Sequence, residues 1–322
     1  MLHGTDPMPL AGAIVMSGYW QEVDRRLRDV RHAENTEAVH DMRVAVRRLR
    51  VAFALFAPWY ERQELRGLKR GLRRLGGRLG AVRDGEVLVQ NARAAALRLP
   101  TADLAGLLTR WEAEHAVARV RLLDYLDEPG FSRFKHRFER FLEWYGTAAT
   151  PEPLARSAGT QDGDDAGVTA HLVCDVMPAE IWRRYGAVHA YVPFVAEASL
   201  AQLHRLRIAG KRLRYAVESF EDVLGTSGKS AIALLRDLQD ALGAVHDAHV
   251  AIELLDTFQT TTAGPNDRVE PYIEQQRSLL AASRGGFDRF WPSMAGGALT
   301  ELVAKCAESL AGLSEDAPHA SS

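Results

Sequence analysis

Two short stretches place histidine, arginine and lysine along one side of a helix. Val39–Arg50 reads VHDMRVAVRRLR and Leu203–Arg214 reads LHRLRIAGKRLR. Six of the twelve aligned positions are identical: His40/His204, Arg43/Arg207, Ala45/Ala209, Arg48/Arg212, Leu49/Leu213 and Arg50/Arg214. Arg47/Lys211 keeps its charge and Val44/Ile208 its shape. At about 100° per residue, Arg43, Arg47 and Arg50 fall within about 80° of His40. Met42, Val46, Leu49, Phe53 and Phe56 collect on the opposite side. In the second stretch His204, Arg207, Lys211 and Arg214 share one face and Leu206, Leu213, Val217 and Phe220 the other, with Arg48 and Arg212 flanking the basic faces. The chemistry open to such a face is anion binding, because a planar guanidinium meets phosphate oxygens with two parallel hydrogen bonds. The alternative is the solvated side of an amphipathic helix. A solvated face ordinarily mixes signs, since like charges at i, i+4 repel by a few tenths of a kcal/mol. Here acids are almost absent from the face, and the pattern is written twice. His40 and His204 each open a basic face, either to add ring donors to an anion or to orient the arginines.

A third helix in each half adds basic positions. Arg66/Lys229 and Arg73/Arg236 are cationic in both copies, and a spacing of seven puts each pair on one side of its helix, flanking a leucine stripe. Lys69, Arg70, Arg74 and Arg78 are basic only in the first copy and read either as part of a site or as surface charge. LGAVRD at Leu79–Asp84 returns as LGAVHD at Leu242–Asp247. Its aspartates read as a helix cap or an ion-pair partner of a ladder arginine rather than as metal ligands. His246 and His249 have metal-compatible spacing, but Arg83 and Glu86 stand in their places in the first copy, so they read as surface histidines.

The elements that carry these residues are helical nearly throughout. Apolar residues recur at i, i+3, i+4 and i+7, and strand-like alternation is essentially missing. Helices are expected over about 13–32, 36–56, 62–80, then from Asp84 as an N-cap, 102–126 and 131–145. In the second half they are expected from Pro178, then over about 199–224, 229–244, 270–284 and 287–310. Trp182 stands in the second half as Trp20 does in the first. The N-terminal MLHGTDPMPLAGAIVM reads as a short tail, residues 147–170 as a small, polar, proline-bearing linker, and the segment after Ser314 as disordered. The period of about 160 residues is too long for a solenoid. The expected fold is all-α: two tandem helical-bundle repeats, four-helix-bundle-like, over residues 13–146 and 171–312, with pseudo-twofold symmetry around a basic central groove or pore.

Composition bounds the function. A net charge of −2 over 322 residues conceals segregation: from His40 to Arg83, twelve Arg or Lys face three acids. Such a patch concentrates an anionic ligand even on a neutral protein. The two cysteines, Cys174 and Cys306, lack CxxC spacing, which argues against a zinc site or disulfide framework and fits a reducing cytosol. No run of about 18 apolar residues marks a membrane span. No phosphate-binding GxxxxGK[ST] or GxGxxG loop occurs.

The doubled H-x-x-R-[VI]-x-x-[RK]-R-L-R segment, followed about thirty residues on by L-G-x-x-x-D, resembles the conserved histidine α-helical domain family, CHAD, over roughly residues 13–312. The resemblance implies an all-helical fold around a basic groove or pore, binding of inorganic polyphosphate, and association with polyphosphate granules in the cytoplasm. The implied ligand set is His40, Arg43, Arg47 and Arg50 with His204, Arg207, Lys211 and Arg214, joined by Arg48, Arg212, Arg73 and Arg236; Arg66 and Lys229 complete the basic positions. Some relatives carry a fused triphosphate-tunnel (CYTH-type) domain, for which this chain has neither room nor the E-x-E-x-K strand. A non-enzymatic binding module is therefore expected, with no cofactor or metal and no membrane partner, and with phosphate or sulfate as ligand mimics. The rival readings are a histidine phospho-acceptor and a single-stranded nucleic-acid binder. The latter ordinarily offers aromatic platforms, and only Tyr215 projects from a ladder face.

Overall fold

The computed structural model describes residues 2–31, 36–147, 171–261 and 268–312. The expected linker, apart from Thr147, and the expected C-terminal tail lie outside the described residues. Among the described residues ten α-helices follow one another: α1 (Met8–Arg31), α2 (Thr36–Phe56), α3 (Arg62–Arg98), α4 (Ala105–Asp127), α5 (Pro129–Gly146), α6 (Val173–His189), α7 (Leu200–Glu218), α8 (Glu221–Thr261), α9 (Glu270–Ser293) and α10 (Leu299–Ala311). No strand occurs among the described residues. In the first half α1 packs on α2 and α5, α2 on α3, and α3 on α4 and α5. In the second, α6 packs on α7 and α10, α7 on α8, and α8 on α9 and α10. The halves meet where α2 touches α7.

The apolar stripes read from the sequence make this core. Met42, Val46, Leu49, Phe53 and Phe56 of α2 are buried, as are Leu206, Leu213, Val217 and Phe220 in and just after α7. Burial of such side chains stabilises by roughly 1.5–3 kcal/mol each, which fixes the rotation of each helix and hence the direction of its basic face. Phe56 and Phe220, aligned in the two copies, meet each other with ring centroids 5.9 Å apart. A second, smaller core lies at the far ends of the long helices. There Val89 and Ala92 of α3, Trp111 of α4, Phe258 of α8 and Tyr272 of α9 pack together, and Asp103 binds Arg268 across the halves at 3.0 Å.

Several expected boundaries move. α3 runs unbroken from Arg62 to Arg98, so Asp84 sits mid-helix and is not an N-cap. α8 likewise joins residues 221–261, with a kink where Gly225 takes φ 55°. α7 stops at Glu218, where the Ser219 hydroxyl donates to the Tyr215 carbonyl at 2.8 Å. α9 passes through Gly285–Gly286, and the chain breaks instead at Gly297, whose φ of 115° favours glycine. Packing along a whole apolar stripe overrides the low helix propensity of single glycines. The N-terminal segment is no tail. Leu2 and Met8 are buried, and the backbone pairs with the start of α6 through Met8 N–His171 O at 2.8 Å and Cys174 N–Gly4 O at 2.9 Å.

Gly12 of α1 shows how tightly this first seam is packed. A Cβ there would stand 2.2 Å from Tyr60 Oη and 2.8 Å from Phe56 Cβ, while Tyr60 Oη donates to the Pro9 carbonyl at 2.8 Å. Gly12→Ala is expected to destabilise by about 1–3 kcal/mol through overpacking, read as a lower urea midpoint at unchanged m-value.

Candidate functional site

α7 starts at a defined residue. Ser199 and Gln202 form a reciprocal capping box, and Arg284 of α9 donates to the carbonyls of Val195, Ala196 and Ala198 just before it. With α2 and α7 fixed by their apolar faces, the basic faces border a cavity of about 960 Å³ between α2, α3, α6 and α7. That volume lies at the upper end of the roughly 300–1,000 Å³ typical of ligand pockets. Ten cationic residues line it: Arg47, Arg50, Arg62, Arg66, Lys69, Arg73, Arg183, Arg184, Lys211 and Arg212. No acid is among the lining residues. Arg183 and Arg184 hold Glu180. The other eight have no carboxylate within ion-pair distance among the described residues, a condition that leaves their charge available.

The electrostatics record the crowding. Lys211 is pushed down to about 7, by burial first and then by Arg207, Arg47, Arg43 and Arg214. Because Arg43 and Arg47 belong to α2 and Arg207 and Lys211 to α7, the two ladders lie within each other's field. Arg184 is lowered to about 10 by burial and by Arg212. Arg207 and Arg43 are lowered by burial as well, partly offset by Asp247 and Asp84 respectively.

Of the residues expected from sequence, Arg47, Arg50, Arg66, Arg73, Lys211 and Arg212 are brought together in the cavity wall. Arg43 binds Asp84 at 3.0 Å, so the aspartate of the L-G-x-x-x-D segment is an ion-pair partner of its own ladder. Arg207 has Asp247 as its electrostatic neighbour in the same way. The His204 ring lies against that of His246, centroids 4.6 Å apart and tilted by 44°, and burial, Arg207 and Lys211 lower its pKa. His246 is therefore part of this cluster and not a surface histidine; burial and Arg207 lower its pKa too. His249 instead pairs with Glu253 at 3.6 Å. Arg48, Arg214 and Arg236 turn to Glu218, at 3.4, 3.1 and 3.6 Å. His40, half-buried, and Lys229, exposed, do not line the cavity.

Sequence reasoning missed Arg62, Arg183 and Arg184 and left Lys69 undecided. None has a basic counterpart in the other half, so the repeat carried no signal for them; the Arg-Arg doublet after Trp182 was the only local cue. Tyr215 and Phe53 border the cavity but are 2% and 4% exposed, and Tyr215 is covered by Arg214, whose Cζ lies 4.6 Å from the ring centre. Neither offers an open platform for a base. No helix among the described residues is long and apolar enough to cross a membrane, and both cysteines are free and buried.

A CHAD domain family model matches residues 15–256. Comparison with curated protein sequences gives no match. Among solved structures, the CHAD domain from the plant Ricinus communis superposes with a TM-score of 0.64 at 22% identity, covering 95% of this chain and 93% of that one. PptA from Streptomyces chartreusis superposes with a TM-score of 0.64 at 19% identity, covering 89% of this chain and 99% of that one. At these identities the likeness is one of fold.

Lys211 gives the cavity a pH signature. Its folded-state value of about 7 lies below the unfolded lysine value of ~10.4, so between those two values the unfolded chain binds more protons. The penalty of charging Lys211 is fully present below pH 7 and is relieved as pH rises toward the unfolded value. Lys211→Met is expected to raise the melting temperature of the ligand-free protein by on the order of 2–4 °C at pH 6, with the gain shrinking toward pH 10. Differential scanning calorimetry of both proteins across that range checks it.

Proposed function

The chain belongs to the CHAD domain family, and we propose that it binds inorganic polyphosphate in the cationic cavity between α2, α3, α6 and α7. The family is linked to polyphosphate-related proteins. The observation that carries the reading is the wall itself: ten cations, no acid, and eight of the ten without a carboxylate partner among the described residues. Gathering them is unfavourable in the free protein: Lys211 is depressed first by burial and then by neighbouring arginines, and a polymer with about one negative charge per unit offsets the repulsive part. Guanidiniums take phosphate oxygens in pairs, while Lys211 acts as a point charge that regains its proton as an anion arrives. The lining aromatics are buried, which favours a ligand without bases over single-stranded nucleic acid.

The two halves act as pseudo-twofold partners around this basic groove. The doubled ladders, the parallel packing of α1–α5 and α6–α10, and the contact between the aligned Phe56 and Phe220 support that arrangement, since aligned residues meet each other only near a twofold axis. The protein works as a binding module, not an enzyme, in the cytoplasm, and it carries or localises to polyphosphate granules. The arginine and lysine residues of the cavity wall are the ligand set, with Arg43, Arg207 and His204 behind them tuning the field.

Reversing charge at Arg47, Arg50, Arg73 and Lys211 together is expected to abolish binding of long-chain polyphosphate while helicity by circular dichroism is kept. The same reversal at the exposed Arg133 and Arg140 of α5 is expected to leave it unchanged. By analogy with nucleic-acid phosphates, the logarithm of affinity falls linearly with the logarithm of salt. Arg73→Gln alone should cost roughly tenfold, about 1.4 kcal/mol, and flatten that slope by somewhat under one unit. Single-stranded RNA competing equally at matched charge would contradict the reading.

A further inference from the structure

The two halves are unequal at one place, and the inequality has a simple chemical form. In the alignment of the ladders, Arg50 corresponds to Arg214, Arg212 to Arg48, and Arg73 of α3 to Arg236 of α8. Arg50, Arg73 and Arg212 line the open cavity. Their three counterparts converge on a single carboxylate: Glu218 Oε1 lies 3.1 Å from Arg214 Nη1 and 3.6 Å from Arg236 Nη2, and Oε2 lies 3.4 Å from Arg48 Nε. The Glu218 side chain is 5% exposed. Continuing the ladder alignment by one turn, the residue at the position of Glu218 in the first half is Ala54, which borders the cavity. Where one side of the α2–α7 pair presents three arginines around open space, the other presents their three counterparts around a resident anion.

We infer that Glu218 is a built-in substitute for a phosphate, which occupies the counterpart of the cavity and leaves the chain with one open polyphosphate site instead of two. The inference rests on the reading of the cavity as a polyphosphate site. A carboxylate bridged by guanidiniums uses the same donors and the same charge that a phosphate unit would use, so the two compete for one place. The surroundings point the same way. Arg183 and Arg184 follow Trp182, but Gln21 and Glu22 follow Trp20; Lys69 corresponds to Ile232, and Arg62 to Gly225. The counterpart lacks four of the open cavity's cations and carries two acids, Glu22 and Glu218, where the cavity has none. Glu218 thereby sets the number of sites and the side of the molecule on which a phosphate chain lies. The arginines around it are positioned by the ion cluster, which joins α2, α7 and α8 in the ligand-free protein.

The test is the stoichiometry of tripolyphosphate binding by the full chain, measured by calorimetry at low salt for wild type, Glu218→Ala and Glu218→Gln. Alanine is the residue the fold already carries at the corresponding position, and glutamine keeps the shape while removing the charge. The expected result is one equivalent for wild type and a second, weaker equivalent for both variants. The variants' melting temperatures should fall in anion-free buffer and recover on adding tripolyphosphate, because arginines left without an acid are then re-paired. Folded variants that still bind one equivalent overturn the assignment. If neither variant folds, Ala54→Glu decides: it should lose binding at least tenfold, and wild-type affinity in that variant overturns the assignment equally. A wild type that binds no tripolyphosphate sinks the reading of the cavity itself, whereas one equivalent in wild type and in Glu218→Ala sinks the role of Glu218 alone.

Discussion

Like charges held together without acids are the constraint from which the rest of this structure follows. Ten cationic residues border one cavity, and the pKa of the lysine among them, Lys211, is pushed down to about 7, first by burial and then by the arginines of both ladders. Nothing in the polar groups themselves favours that arrangement; it is imposed from behind. Met42, Leu49 and Phe56 on α2, and Leu206, Leu213 and Val217 on α7, are fully or almost fully buried. Each buried apolar side chain contributes more than a surface repulsion of a few tenths of a kcal/mol removes. The apolar faces therefore win, and the arginines go where the helices carry them. A cationic cavity built this way would be preorganised for an anion, because its cost is met on folding and not on ligand arrival.

The acids nearest this field lie outside the cavity wall. Asp84 sits on Arg43 and Glu180 on Arg183 and Arg184, on the flanks of the cavity. Glu218 is the exception in kind: it lies within ion-pair distance of three arginines from three helices at once and accepts a hydrogen bond from Arg214 Nη1. On the proposed reading, Glu218 at the end of α7, together with the cations found on one side only, is what makes the two sides unequal.

Much of the fold could be read from the residues alone. The helical period of the apolar positions located the buried faces of α2 and α7 correctly, because burial and helix geometry are both local consequences of spacing. The repeat identified Arg50, Arg73 and Arg212 as basic in duplicate, but it could not say that their copies face an acid, since Glu218 reads as one more polar residue within the helix expected over 199–224. Lys69 was indistinguishable from surface charge, and Arg62, Arg183 and Arg184 had no second copy to mark them. Asp84 misled as a helix start because its flanking glycines weaken helix propensity, while the stripe from Leu65 to Val89 holds α3 continuous. The role of the N-terminal segment was invisible for a different reason: it is fixed by backbone pairing with residues 171–174, far away in sequence.

The central claim, that the cavity is built for a phosphate polymer, is tested most directly by counting protons. Long-chain polyphosphate titrated calorimetrically at pH 8, in two buffers of different ionisation enthalpy, reports the protons exchanged on binding. Lys211, lowered to about 7 in the free protein, is largely neutral at that pH and must recharge when phosphate enters. The account predicts a net uptake approaching one proton per chain, lost in Lys211→Met. Tight binding with no proton uptake would contradict it, because the polymer would then be held somewhere other than this cavity.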